Sequence, residues 1–192
     1  LIDDLLDVTR LVRGDFQVEL QPCDVHPQIQ QAIRNAEASL DGKQITFRAE
    51  LQAPRSRVLA DPRRLGQVLS NLIGNAVKFT PTGGSIAVVT ENEPPGVLRV
   101  SVIDSGIGIA SEQLQNIFQP FERGEVQHRY EYTGLGLGLA IARSLLEKMN
   151  GTITAASAGA GSGATISFCM PIAQSPSVQT PALPWSSREP SG

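Results

Sequence analysis

The sequence has few cysteines, no surplus of basic residues and no long apolar run, and each of these absences excludes a class of protein. Only two cysteines occur, Cys23 and Cys169, and their separation fits neither a disulfide framework nor a zinc site. Sixteen basic residues stand against 19 acidic ones, so the net charge of −3 offers no basic surplus for nucleic acid, and we expect no nucleic-acid partner. No apolar run approaches the roughly 20 residues of a membrane helix, and no signal peptide is visible. We therefore expect a cytoplasmic domain without direct membrane contact.

The composition supports one folded core, since 41% of the 192 residues are hydrophobic. Alternating apolar residues predict strands, apolar residues three or four apart predict helices, and Asp24 and Asp61-Pro62 are helix-start signals. Strands are predicted at 16–20, 45–51, 86–91, 97–104, 152–157 and 164–170, and helices at 24–42, 61–78, 111–118 and 138–149.

The chain divides into three parts. Leu1, Leu5, Val8 and Val12 form a narrow apolar stripe, which indicates the end of a longer amphipathic helix over residues 1–14. Residues 173–192 are rich in Pro and Ser without periodicity, and we expect them to be disordered. Residues 15–172 hold the folded domain, and the chain is expected to be a fragment of a longer protein.

Two asparagines share a face of the helix predicted at 61–78. Asn71, Asn75 and Lys78 are spaced i, i+4 and i+7, beside the apolar stripe of that helix. Carboxamides on a half-buried face need hydrogen-bond partners or a ligand. The side chains therefore either tie down neighbouring backbone or bind a ligand such as a hard cation.

An aspartate ends the strand predicted at 97–104. Asp104 follows three apolar residues on the core-facing side, where a carboxylate is costly unless something pairs with it. Gly106 and Gly108 open the backbone next to the acid, so that a flat polar ligand can approach. The alternative is that Asp104 forms an Asx-turn and only caps its own loop.

Alternating glycines and leucines precede the helix predicted at 138–149. A glycine-rich loop at a helix start can hold phosphate, although it can also be a simple flexible turn. The loop at 119–133 before it is long, which is typical of lids or of disordered segments. The chain has no P-loop, no strand before these glycines, and no His-Arg-Asp or Asp-Phe-Gly of protein kinases. Taken together, the acid, the asparagines and the glycines predict a site for Mg²⁺-ATP.

Four motifs resemble the boxes of sensor histidine kinases. The segment Asn-Leu-Ile-Gly-Asn-Ala-Val-Lys-Phe-Thr at 71–80 is similar to the N box, and Asp-Ser-Gly-Ile-Gly-Ile at 104–109 to the G1 box. Phe-Gln-Pro-Phe-Glu-Arg at 118–123 resembles the F box, and Thr-Gly-Leu-Gly-Leu-Gly-Leu at 133–139 the G2 box. The resemblance covers residues 16–172 and extends more widely to the GHKL ATPases.

This resemblance implies an α+β fold, a two-layer α/β sandwich of the Bergerat type, with a mixed, mostly antiparallel sheet and helices on one face. It implies that Asp104 binds adenine, that Asn75 holds Mg²⁺, and that Asn71 and Lys78 lie on phosphate or ribose. Asn75 and Lys78 would be the catalytic residues, and the loop 119–133 would be an ATP lid. The further nucleotide-binding residues implied are Gly106, Gly108, Ile109, Phe118, Arg123, Thr133, Gly134, Leu135, Gly136, Leu137 and Gly138.

One family feature has no match, because no histidine stands in a His-Glu/Asp-x-x-x-x-Pro box. We interpret His26 as a solvated residue near a helix cap, and His128 lies in the predicted lid. We therefore expect ATP binding without autophosphorylation by this chain alone. The predicted helix at 1–14 is similar to the end of a dimerisation helix of this family, and the resemblance further implies a homodimer through these helices and a response-regulator receiver domain as partner. It is compatible with membrane anchoring of the full-length protein. The alternatives are a same-fold ATPase, a protein serine kinase or a degenerate ATP-binding module.

Overall fold

The strands and helices follow one another from Gln21 onward in a computed structural model that describes residues 17–38, 40, 42–121 and 136–173. The predicted helix at 1–14, most of the predicted lid and the tail from residue 174 lie outside these residues, so the proposed domain boundaries stay predictions. The strands are β1 Gln21–Asp24, β2 Thr46–Leu51, β3 Arg57–Ala60, β4 Ser85–Glu93, β5 Val97–Asp104, β6 Thr152–Ala156 and β7 Ala164–Pro171. The helices are α1 Val25–Glu37, α2 Pro62–Phe79 and α3 Gly138–Lys148.

Five strands form one mixed sheet in the order β2-β4-β5-β7-β6. Strands β2 and β4 pair in parallel, while β4-β5, β5-β7 and β6-β7 pair antiparallel. Strands β1 and β3 form a separate antiparallel pair. Both predicted hairpins are confirmed, as is the predicted class of a mixed, mostly antiparallel sheet in an α/β sandwich.

One face of the sheet carries the core. Side chains of a strand alternate between the two faces, and in β5 and β7 one set is almost completely buried: Leu98, Val100, Val102, Ile166, Phe168 and Met170. The same cluster contains the apolar stripes of α2 and α3, so the helices cover this face. On the other face the hydroxyls of Ser101 and Ser167 bond to each other at 2.9 Å.

Aspartates start the first two helices, as the sequence predicts. The Asp24 carboxylate accepts a hydrogen bond from the His26 N–H at the start of α1. The Asp61 carboxylate accepts from the N–H groups of Arg63 and Arg64 in the first turn of α2. Each bond satisfies a donor that has no partner within its own helix.

Two predicted elements are wrong, and in both cases the available hydrogen-bond partners explain the difference from the prediction. Residues 17–20 have no regular structure, and the strand begins only at Gln21, where β3 supplies a partner strand. The helix predicted at 111–118 is a succession of turns, in which the N–H groups of Gln113 and Leu114 both bond to the Ala110 carbonyl. Ser111 is exposed and caps no helix. In addition, α1 ends at Glu37, earlier than the predicted stop at Gly42.

Candidate functional site

The face of α2 that carries Asn71, Asn75 and Lys78 is half-buried. Asn71 Nδ2 donates to the carbonyl oxygen of Gly138 at 3.0 Å, so this carboxamide joins α2 to the first residue of α3. Within the described part of the chain, the Asn75 carboxamide has no hydrogen-bond partner. The two asparagines therefore divide between the two predicted possibilities: Asn71 ties down backbone, and Asn75 is available to a ligand.

Lys43 holds the end of α2, which positions Lys78. Its ammonium group donates to three carbonyl oxygens, at 3.0 Å for Val77 and 3.2 Å for both Lys78 and Thr80. These carbonyls belong to the end of the helix, where intrahelical partners are lacking. No local sequence pattern indicates this contact, because Lys43 lies more than 30 positions before these carbonyls along the chain.

Asp104 is half-buried at the end of β5. Its Oδ1 accepts from the Gly106 N–H at 2.8 Å and from the Ala164 N–H at 3.3 Å. Burial raises the pKa of the Asp104 carboxyl above its ordinary value, and these two bonds oppose the rise only in part. The bond to Gly106 is the Asx-turn that the sequence left as an alternative. Among the described residues, Oδ2 has no partner, so the same carboxylate also retains an acceptor for a ligand.

The G1 loop, defined here as residues 104–109, needs its glycines for backbone packing. A Cβ on Gly106 would overlap the carbonyl oxygen of Phe79, to which the Ile107 N–H bonds at 3.2 Å. Gly108 has a φ of +72°, and a Cβ there would overlap the carbonyl oxygen of Gly159. Glycine is thus required at 106 by close contact with α2 and at 108 by close contact with the β6–β7 turn, in addition to any access that a glycine gives to a ligand.

Helix α3 begins beside this site without a side-chain cap. Leu137 is its N-cap residue and is buried, and no side chain bonds to the first turn within the described residues. Gly136 requires glycine because its φ is +71°. A Cβ on Gly138 would lie 3.6 Å from Asn71 Cγ, which is ordinary contact, so packing in this arrangement does not demand glycine there. The predicted role of this helix start in holding phosphate stays a prediction.

The remaining predicted site residues fall into two groups. Ile109 packs partly buried on the core, and Phe118 lies within it with 9% of its surface exposed. The structure thus places Phe118 among core residues, and its role toward a nucleotide stays a prediction. Arg123, Thr133, Gly134 and Leu135 lie outside the described residues.

His26 lies next to the helix cap, as the sequence predicts, but it is half-buried and its ring has a hydrogen-bond partner. Its Nε2 lies 3.0 Å from the Thr90 hydroxyl, which is buried and also accepts from the Ala53 N–H at 3.3 Å. Thr90 follows Ile86, the cross-strand partner of Asp104, by four positions along β4. At about 3.3 Å per residue, this places the contact roughly 13 Å from Asp104 along the sheet. His26 therefore lies outside the site.

A mixed sheet covered by helices on one face, with a half-buried acid beside an amide-bearing helix, defines a nucleotide-site architecture of the GHKL ATPase class. The sequence profile of the family "Histidine kinase-, DNA gyrase B-, and HSP90-like ATPase" matches residues 60–174, more than half of the chain. The chain belongs to this family, and within it to the catalytic ATP-binding domains of sensor histidine kinases, as the four boxes predict.

Curated relatives support this assignment. Histidine protein kinase DivJ of Caulobacter vibrioides is 34% identical over 185 residues, which are 96% of this chain and 30% of that protein. Two-component system protein A of Emericella nidulans is 32% identical over 159 residues, 80% of this chain and 23% of that protein. The chain therefore spans less than a third of the length of these two relatives.

Solved structures show the same fold. The nucleotide-free catalytic domain of histidine kinase ThkA superimposes with a TM-score of 0.68 at 31% identity, covering 80% of this chain and 96% of that one. Full-length ShkA in complex with AMPPNP gives a TM-score of 0.77 at 31% identity, covering 91% of this chain and 35% of that one. ThkA in complex with the response regulator protein TrrA gives 0.70 at 27% identity, covering 90% and 48%. Among the helices that the structure describes, none combines the length and the hydropathy of a membrane span.

Proposed function

We propose that this chain binds Mg²⁺-ATP and serves as the catalytic part of a protein histidine kinase. It would present the γ-phosphate of ATP to a histidine on a dimerisation helix, from which the phosphoryl group passes to an aspartate of a response regulator. The observation that carries the proposal is the Asp104 carboxylate, which keeps one oxygen without a partner among the described residues. The AMPPNP complex of ShkA and the TrrA complex of ThkA support it by similarity.

The Asp104 carboxylate favours adenine over guanine. Its Oδ1 is held by two backbone N–H groups, and Oδ2 can accept a hydrogen bond from an exocyclic amine. Adenine offers an amine at the ring position where guanine has a carbonyl oxygen, which would face the carboxylate as a second acceptor. A buried acceptor that lacks its donor is costly, so base selectivity follows from this single side chain.

Asn75 is suited to bind the magnesium ion that the resemblance to sensor histidine kinases implies. Its carboxamide oxygen is a hard ligand on a half-buried face and has no competing partner within the described residues. Mg²⁺ takes few protein ligands and completes its shell with water and phosphate oxygens, so one amide oxygen is sufficient. The ion, when bound, neutralises phosphate charge. Lys78, one turn further along α2, adds a positive charge on the same side of the helix.

The phosphoacceptor is expected on a helix outside this chain. The sequence has two histidines, and the ring of His26 is bonded to Thr90 away from the site. His128 lies outside the described residues and in no acceptor box. Phosphoryl transfer depends mainly on positioning and charge stabilisation, which this domain would supply while the dimerisation helix supplies the imidazole. The homodimer, which would form through the helix predicted at residues 1–14, belongs to the same proposal.

Nucleotide titration tests the proposal. We expect AMPPNP to bind the wild-type chain, with tighter binding when Mg²⁺ is present. Asp104→Asn should weaken binding with and without the metal, because it exchanges the charged acceptor for an amide. Asn75→Ala should remove the gain from Mg²⁺ and retain most of the metal-independent binding. Binding that does not respond to Asp104→Asn, or a metal effect that persists in Asn75→Ala, would contradict these assignments.

Incubation with radiolabelled ATP tests the position of the acceptor. We expect no acid-labile, base-stable phosphoprotein from the 192-residue chain alone. A stable phosphohistidine on this chain would show that it contains its own acceptor.

A further inference from the structure

The turn between β6 and β7, residues 157–163, lies directly against the G1 loop. The Gly161 N–H donates to the Ile107 carbonyl at 2.6 Å, and the Gly163 N–H donates to the Gly106 carbonyl at 3.1 Å. Just after the turn, the Ala164 N–H bonds to Asp104 Oδ1. The turn therefore holds both the backbone of the G1 loop and the carboxylate that begins it.

Ser157 is the side chain that fastens this contact. Its Oγ accepts from the Ile109 N–H at 3.0 Å and from the Gly159 N–H at 3.3 Å. The Gly163 carbonyl at 2.6 Å is the nearest acceptor for its single proton. A hydroxyl has one donor and two acceptor positions, so all three are in use. One hydroxyl thus joins the end of the G1 loop to both ends of the turn.

The two backbones touch without side chains between them. A Cβ on Gly108 would overlap the Gly159 carbonyl, and a Cβ on Gly163 would overlap the Asp104 carbonyl. Both glycines have positive φ, +72° and +68°, which other residues rarely adopt. Because the contact is this close, a displacement of the turn must displace the G1 loop as well.

We propose that Ser157 is a positioning residue for base recognition, which fixes the G1 loop so that Asp104 discriminates adenine from other purines. This inference rests on the proposed function. Ser157 is half-buried within the contact and acts through the loop, so it needs no contact with the nucleotide. Removal of its hydroxyl frees the Ile109 N–H and the turn, and the loop then samples orientations in which Asp104 no longer meets the exocyclic amine.

The test compares two nucleotides that differ only in that amine, ATP and purine riboside 5′-triphosphate, by calorimetry on the 192-residue chain with Mg²⁺. The wild type should prefer ATP, and Asp104→Asn should remove most of the preference. Ser157→Ala should weaken ATP binding about fivefold, the effect of one lost hydrogen bond, and leave the purine analogue nearly unchanged. Ser157→Thr, which keeps the hydroxyl, should restore the preference.

Ser167→Ala is the matched control. Like Ser157, Ser167 lies in this hairpin and has a bonded hydroxyl, and it is buried. Its partner is the hydroxyl of Ser101, and both serines lie on the face of the sheet opposite the core. Replacement of Ser167 should lower thermal stability and leave the ATP preference at the wild-type value. An equal loss of preference in Ser157→Ala and Ser167→Ala would overturn the inference, since general loosening of the hairpin would then account for both.

The outcomes separate this inference from the proposed function. A wild type without ATP preference, or a preference that survives Asp104→Asn, contradicts base recognition by Asp104. A preference lost in Asp104→Asn and intact in Ser157→Ala overturns only the role of Ser157. If Ser157→Ala does not fold, amide exchange of the ligand-free wild type decides: we expect strong protection of the Ile109 N–H, and exchange at the rate of an open peptide would overturn the inference.

Discussion

Replacement of Lys43 by methionine should destabilise the domain from the end of α2. The ammonium group is the partner of three carbonyl oxygens at the end of this helix, at 3.0 to 3.2 Å. Lys43→Met keeps most of the apolar stem and removes only the charged donor. A hydrogen bond from a charged group contributes about 1.5–3 kcal/mol net, and a cation at a helix C-terminus adds roughly 0.3–1 kcal/mol.

The contributions do not simply add. Lys43 is half-buried, so water can reach part of the carbonyl cluster after the substitution and recover some of the loss. We therefore expect the free energy of unfolding to fall by about 2 kcal/mol, which lowers Tm by roughly 4–8 °C in a domain of this size. Urea unfolding measures the change, and the midpoint should fall while the m-value stays constant.

The control for Lys43→Met is Lys148→Met. Lys148 is exposed in the last turn of α3, and no bond of its side chain is seen within the described residues. Its replacement removes at most the favourable charge at a helix C-terminus and should lower stability by less than about 1 kcal/mol. Equal and small effects of the two substitutions would refute the reasoning, because they would mean that water replaces the Lys43 ammonium at no cost.

Three further predictions concern single residues. Asp61→Ala should lower stability by about 1 kcal/mol at pH 7. Burial raises the pKa of the Asp61 carboxyl, but hydrogen bonds from the backbone N–H groups of Glu19, Arg63 and Arg64 outweigh this effect and leave the pKa below its ordinary value. The stabilisation is therefore present above the pKa of the unfolded carboxyl and is lost as pH falls through the lower pKa of the folded protein. Urea midpoints of the two proteins should accordingly lie closer together at pH 3 than at pH 7. Asp104→Asn should slightly raise the Tm of the ligand-free chain at pH 7, because burial raises the pKa of Asp104 and its ionised form therefore costs stability. The gain should shrink as pH falls through the raised pKa and vanish below the pKa of the unfolded carboxyl. A gain independent of pH in thermal scans would show another cause. Gly108→Ala should destabilise the domain by about 2 kcal/mol more than Gly161→Ala in urea unfolding, since both have positive φ but only the first would place a Cβ against the Gly159 carbonyl.

Local sequence patterns determined most of the regular structure. Asp61 followed by Pro62 marks the start of α2, and this signal works because an N-cap bonds within its own first turn. The alternation of Leu98, Val100 and Val102 predicts β5 and its buried face, since side chains of a strand alternate strictly. The same alternation placed a strand at 16–20 wrongly, because a strand also requires a partner with free hydrogen-bonding groups.

The candidate site was likewise partly readable from the sequence. Asp104 and Asn75 stand in motifs whose spacing along one strand and one helix already places them on defined faces. The two possibilities for the asparagines could not be separated in that way, because only the packing of α2 against α3 engages Asn71 and leaves Asn75 without a partner among the described residues.

The sequence by itself determined the family and most of the strands and helices, and it selected the residues that we propose at the centre of the site, because each of these depends on neighbours along the chain. Tertiary structure alone decided which side chains hold that centre in place. Lys43 reaches the end of α2 across more than 30 positions, and Ser157 reaches the G1 loop across 48. The physical reason is that hydrogen bonds depend on distance in space, and contacts between separate elements have no periodicity along the chain.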